Sequence, residues 1–175
     1  SAEGTLFAAN LPTEEVYTLP KRNGVNGTVV ASKPLHYNGN LIEDFSLTFR
    51  DGKVVDYRVQ QGGEHLKELL ETDEGASYLG EVALVPHDSP ISQSGILFYN
   101  TLFDENASCH LALGKAYPTC IENGENMTED ELRQHGVNHS IVHEDFMIGT
   151  ADLTVIGRTS FGETVTIMEH GNFAF

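Results

Sequence analysis

Residues 45–59, "FSLTFRDGKVVDYRV", constrain the fold more than any other stretch of the chain. Phe45, Leu47 and Phe49 alternate with polar residues, the period at which one face of a strand is buried. Asp51-Gly52 then supplies a tight turn, and a Val- and Tyr-rich strand returns, so the stretch reads as a β-hairpin. Further strand signals lie at 27–32 ("GTVVAS"), at 81–86 ("EVALVP", ended by Pro86) and at 140–149 ("SIVHEDFMIG"). "LTVIGRTSFGETVTIM" reads as a closing hairpin. Helical signals are fewer. "GEHLKELLET", 63–72, places Leu66, Leu69 and Leu70 on one side of an amphipathic helix. Thr128 and Glu131 have capping-box spacing for a short helix, "EDELRQHG", closed by Gly136. "PISQSGIL" reads as a loop leading into "FYNTLF", which fits helix or strand. The pattern predicts an α+β fold: a mixed or antiparallel sheet with a few short helices, in a single domain over residues 1–175.

Composition narrows the function classes. A 175-residue chain with 39% hydrophobic residues, nine Phe and six Tyr is long and apolar enough for a folded core. The formal charge of −16 repels phosphate backbones and anionic lipid, so nucleic acid and membrane surfaces are not expected partners. No apolar run approaches the roughly 20 residues that cross a bilayer, and no signal-peptide pattern opens the chain. Two cysteines, Cys109 and Cys120, make no disulfide framework in a chain of this size. The expectation is a reduced, cytoplasmic protein. Four N-x-S/T triplets, at Asn26, Asn106, Asn126 and Asn138, then read as coincidental.

Several ionisable side chains sit where a bland role and a chemical one compete. In a strand over 140–149, His143 and Asp145 project to one face and Glu144 to the other. That pair is either a hydrogen bond at a strand end or two ligands to a cation. Glu81 heads an apolar strand, as an exposed terminal residue or as a ligand. Glu14 and Glu15, if extended, face opposite ways, so at most one of them enters a shared site. His110 stands among small and apolar residues in "ASCHLALG", as a satisfied core histidine or a ligand. Together these residues offer the His and carboxylate mixture that divalent metals use.

The assembled segments resemble a known family. "NLPTEEVYTLP", "KPLHYNGNLIEDFSLTFRDGKVVDY", "ELLETDEGASYLGEVALVPHDSPISQSGILFYNTLFDENASCHLALGKAYPTC", "HEDFMIG" and the terminal "HGNFAF" look, in that order, like the C-terminal part of the thermophilic-type metalloaminopeptidases. This is the group of aminopeptidase T, aminopeptidase S and PepS, and the likeness is nearest to PepS-like enzymes of Gram-positive bacteria.

The resemblance implies a set of roles. The second Glu of "LPTEE", Glu15, is a metal ligand, and Glu81 is a ligand placed to bridge two metals. "DENASCH" contributes Glu105, as ligand or general base, and His110. The "HEDFMIG" strand contributes His143 and Asp145, and Tyr117 of "GKAYP" lies beside the metals and takes part in turnover. Two divalent ions are implied, with zinc, cobalt, manganese and magnesium all compatible with the ligand set. Such a pair polarises a scissile carbonyl and activates water near neutral pH. The substrates implied are peptides with a free N-terminus, and the assembly implied is a homodimer. Family members carry a large N-terminal domain that this chain lacks. The alternative is therefore a non-catalytic, metal-binding dimerisation domain that needs the missing domain for activity.

Overall fold

The computed structural model describes residues 4–6 and 15–175. In chain order the elements are strands β1 (Val16–Thr18), β2 (Gly27–Val30), β3 (Leu35–Tyr37), β4 (Asn40–Ile42), β5 (Ser46–Arg50) and β6 (Lys53–Arg58), then helix α1 (Gly63–Leu70). Strand β7 (Leu79–Leu84) follows, then helices α2 (Pro90–Ser94) and α3 (Thr101–Asp104), strand β8 (His110–Gly114) and helix α4 (Glu129–Gln134). Strands β9 (His143–Met147), β10 (Val155–Arg158), β11 (Thr164–Glu169) and β12 (Asn172–Phe173) close the order. The architecture is α+β with few, short helices. Every strand pairing among these elements is antiparallel, so the mixed-sheet option is not taken up.

The hairpin forms as its sequence dictates. Asp51 (φ 49°) and Gly52 (φ 86°) both take the left-handed conformation that joins β5 to β6 with the right twist. β2 pairs on the other side of β5, giving a three-stranded sheet. Its inward residues Leu47 and Phe49 pack with Phe45, Ile42, Leu35 and Tyr37 against Leu66 and Leu69 of α1. The same core takes in Leu79, Leu113 and Phe146 from a second sheet, whose order is β1-β7-β8-β9. That four-stranded sheet therefore has one face pinned to the core. Its other face is free to carry polar groups.

Two local expectations need revision or refinement. The segment beginning "PISQS" is helical, not a loop: the Ser92 backbone N–H donates to Ser89 Oγ at 3.2 Å, Pro90 starts the helix, and Gly95 (φ 65°) ends it. "FYNTLF" resolves as helix, with α3 running into a 3₁₀ turn over Glu105–Ala107. The capping box at Thr128 and Glu131 is present in both halves.

Candidate metal centre

The free face of the four-stranded sheet is assembled by register. Cross-strand partners share a face, so the row Glu81–Ala112–Asp145 lies side by side, next to the row Tyr17–Ala83–His110–Met147. His143 opposes Gly114 one step further along β9. Along β8, His110, Ala112 and Gly114 point one way while Leu111 and Leu113 point to the core side. Small residues between the donors leave room in the middle of the face. Glu15 precedes β1 two residues before Tyr17, and so stands on this side of the sheet. Its neighbour Glu14 lies outside the described residues. Glu105 comes from the 3₁₀ turn that delivers the chain into β8.

A β-bulge places Glu81. The β7–β8 register shifts between Leu79 and Glu81, with Gly80 in the extra position. A Cβ on Gly80 would run into the carbonyl oxygens of Gly114 and Lys115, so only glycine lets the two backbones approach this closely. The bulge re-aims the side chain that follows it, and Glu81 is turned into the protein at 5% exposure. It is not the exposed strand terminus that its sequence position suggests.

All six donors expected from the sequence come together here. Glu81 reaches His110 Nε2 with Oε1 at 3.5 Å and His143 Nε2 with Oε2 at 3.7 Å. His143 Nε2 also lies 3.5 Å from Asp145 Oδ1. Three overlapping groups have donor atoms within 4.8 Å of one another: Glu15, Glu81 and His110; Glu81, His143 and Asp145; and Glu105, His110 and Asp145. Glu81, His110 and Asp145 are each shared by two groups. Both histidines are oriented from behind. His110 Nδ1–H donates to the Ser108 carbonyl at 3.1 Å and His143 Nδ1–H to the Lys115 carbonyl at 2.7 Å. A carbonyl only accepts, so each ring presents Nε2 to the cluster. Tyr117 stands at the rim, 40% exposed, its ring 4.7 Å from that of His143.

The electrostatics are those of charges crowded out of water. Burial, then the Asp145 charge, lifts the Glu105 carboxyl to about 8. Burial also raises the Glu15 carboxyl and the Tyr117 phenol. For His110 and His143 burial opposes the charged form, yet the carboxylates beside them prevail, Glu81 for His110 and Asp145 for His143, and lift both to about 9. Even so, His110 Nε2 and Asp145 Oδ1 are fully buried with ion-pair contacts no closer than 3.5 Å and no hydrogen bond. Orphaned atoms of this kind are rare unless something else satisfies them. A cation among these donors would do so, and the residues present fit one.

Residues 1–173 match the family described as thermophilic metalloprotease (M29). The chain belongs to the M29 family. Aminopeptidase 2 of Geobacillus stearothermophilus is 61% identical to this M29 chain over 175 residues, all of the chain and 42% of that protein. Aminopeptidase AmpS of Bacillus subtilis is 59% identical over 98% of the chain and 42% of its own length. The structure of wild-type AmpT from Thermus thermophilus superposes with a TM-score of 0.88 at 46% identity, over 95% of the chain and 41% of AmpT. The M29 chain thus spans about 42% of the length of the curated relatives it matches.

Sequence reasoning found the donors and missed what orients them. The Ser108 and Lys115 carbonyls carry no side-chain signal. Strand β8 was not read from the sequence, although Leu111 and Leu113 alternate with His110, Ala112 and Gly114 at period 2. The buried amide of Asn138, which lies beside this site, had been legible only as part of an N-x-S/T triplet.

Proposed function

We propose that this chain is the metal-bearing catalytic domain of an aminopeptidase that releases N-terminal residues from peptides. The observation that supports it most is the convergence of Glu15, Glu81, Glu105, His110, His143 and Asp145 around two orphaned buried atoms, in a chain of a metalloprotease family. Four carboxylates carry a formal −4, which two divalent cations neutralise. Zinc, cobalt, manganese and magnesium all suit parts of this set. Glu81 faces both histidines, so its carboxylate would help hold a cation on either side and would offset part of the charge there.

Divalent cations held by these residues supply Lewis-acid polarisation of the scissile carbonyl and acidify water. The chain's own groups do the rest. Glu105, which stands with His110 and Asp145, acts as general base in its ionised form, takes a proton from the attacking water and returns it to the leaving amide nitrogen. Tyr117 O–H donates to the oxygen on which charge develops. A free α-amine is favoured beside a carboxylate-rich wall, and an acetylated one is not. Dimerisation and a cytoplasmic location belong to the same reading. Both cysteines are free, which suits a reducing compartment.

The chain's share of its relatives' length favours a second reading, in which the domain binds metal and self-associates but is inactive without the remainder. Hydrolysis of a free aminoacyl reporter beside its N-acetyl counterpart, with metal content measured in the same sample, separates the two. Cleavage of only the free-amine reporter supports the enzyme. Metal without turnover supports the dimerisation domain.

A further inference from the structure

Behind the cluster lies a buried amide that none of the chemistry above uses. Asn138 is 1% exposed. Its Nδ2 donates to the Gly114 carbonyl at 2.6 Å and to the Gly75 carbonyl at 2.9 Å, and its Oδ1 accepts from Arg22 Nε at 3.0 Å. Two carbonyls on one side and a guanidinium on the other leave the amide a single satisfying orientation. Its backbone carbonyl accepts from Ala116 N–H at 3.0 Å. The segment 114–116 is therefore gripped twice by one residue. Between the two grips is Lys115, whose N–H donates to the Val142 carbonyl at 2.7 Å and whose carbonyl takes the His143 Nδ1–H. Tyr117, packed on the His143 ring, follows directly. Arg22 is itself fixed, by Glu74 at 2.8 Å and by stacking over Tyr78 at 3.9 Å.

We propose that Asn138, held by Arg22, is a positioning residue that sets the 114–117 segment so that Lys115 locks His143 with Nε2 toward the cluster and Tyr117 over its ring. The proposal rests on reading the six donors as a metal site. It singles out the His143 side. His110 is oriented separately, by the Ser108 carbonyl from the preceding turn, and does not depend on Asn138. Partners behind a ligand are worth about 10- to 100-fold in metal affinity, and Asn138 acts one step further back.

The test uses the whole chain with Asn138→Ala and, because that change leaves two buried carbonyls without a donor, the milder Arg22→Met, which keeps an apolar stem over Tyr78. Two readouts are taken: cobalt(II) affinity by competition, and hydrogen exchange of the two imidazole Nδ1–H protons by NMR in the metal-free chain. The expected result is an affinity loss of about 10-fold in Asn138→Ala and a smaller one in Arg22→Met. The His143 proton exchanges faster in both, while the His110 proton is unchanged. In a His143→Ala background, neither substitution lowers affinity further. A merely structural role lowers the melting temperature with affinity unchanged, or loosens both histidines together, and either outcome overturns the proposal. If the parent chain binds no cobalt, the metal reading fails by itself. The proton-exchange arm still decides whether Asn138 positions His143.

Discussion

At the scale of single residues, the ligand assignment makes separable predictions. His143→Ala removes one donor from the group on β9 and β7 and Asp145→Ala removes one from each of two groups, so each should lower metal stoichiometry while far-UV circular dichroism stays close to the parent. Full metal content in both variants contradicts the assignment. Tyr117→Phe removes only a hydroxyl at the rim, so metal content should hold while turnover falls about 10²-fold in an active full-length background. An unchanged rate returns Tyr117 to a purely packing role against His143. The pH dependence has a definite sign. In the metal-free chain the raised histidines stabilise the fold most below their unfolded value of about 6.5, and that contribution is lost as pH rises through about 9. Loading runs the other way, because ligation needs neutral imidazoles and ionised carboxylates. Apparent affinity should therefore climb as pH rises toward about 9 and level off above it, with protons released on binding below that pH. Calorimetry in buffers of different ionisation enthalpy measures that release, and its absence would show that the metal-free donors are already deprotonated, against the raised values.

At the scale of elements, the β7 bulge is the feature that turns a strand into a site. Gly80→Ala should cost about 1–3 kcal/mol in denaturant unfolding and weaken metal binding, because the added methyl meets the backbone of 114–115. Parent-like metal affinity would show that Glu81 does not need the bulge. Thr128→Ala is the matched control. It breaks the cap of α4 and should lower stability without changing metal affinity. The same comparison shows how much was legible in the sequence. The hairpin, α1, the capping box and the shared face of His143 and Asp145 follow from local period and turn chemistry, which a sequence displays directly. Glu81 and His110 do not follow from such signals, because Glu81 is turned in by a register shift against a strand about thirty residues away and His110 is covered by strands paired on both sides of it. Their roles were visible only through family resemblance. Helix α2 was hidden for a different reason: at five residues it has too little period to read, and only its Ser-Pro start and Gly end betray it.

At the scale of the molecule, one core joins the hairpin sheet, α1 and the back of the four-stranded sheet, and the donors span Glu15 to Asp145 across the opposite face. Among the described residues no helix is long and apolar enough to cross a membrane. A face backed by a complete core should fold and take up metal as it stands. Turnover asks for more, since the substrate must be held with its carbonyl near the attacking water and shielded from bulk solvent. Assayed as residues 1–175 alone, a span that matches 42% of Aminopeptidase 2, the domain should show less activity per metal site than that full-length relative. Equal activity would make this domain a complete enzyme. The most direct test of the central claim is metal content per folded chain after loading and desalting, by elemental analysis, in the parent and in Glu81→Ala. Close to two divalent ions per parent chain are expected, and loss of both sites' integrity when the shared carboxylate is removed. A parent that retains no metal, or a Glu81→Ala chain that retains the full complement, would contradict the claim.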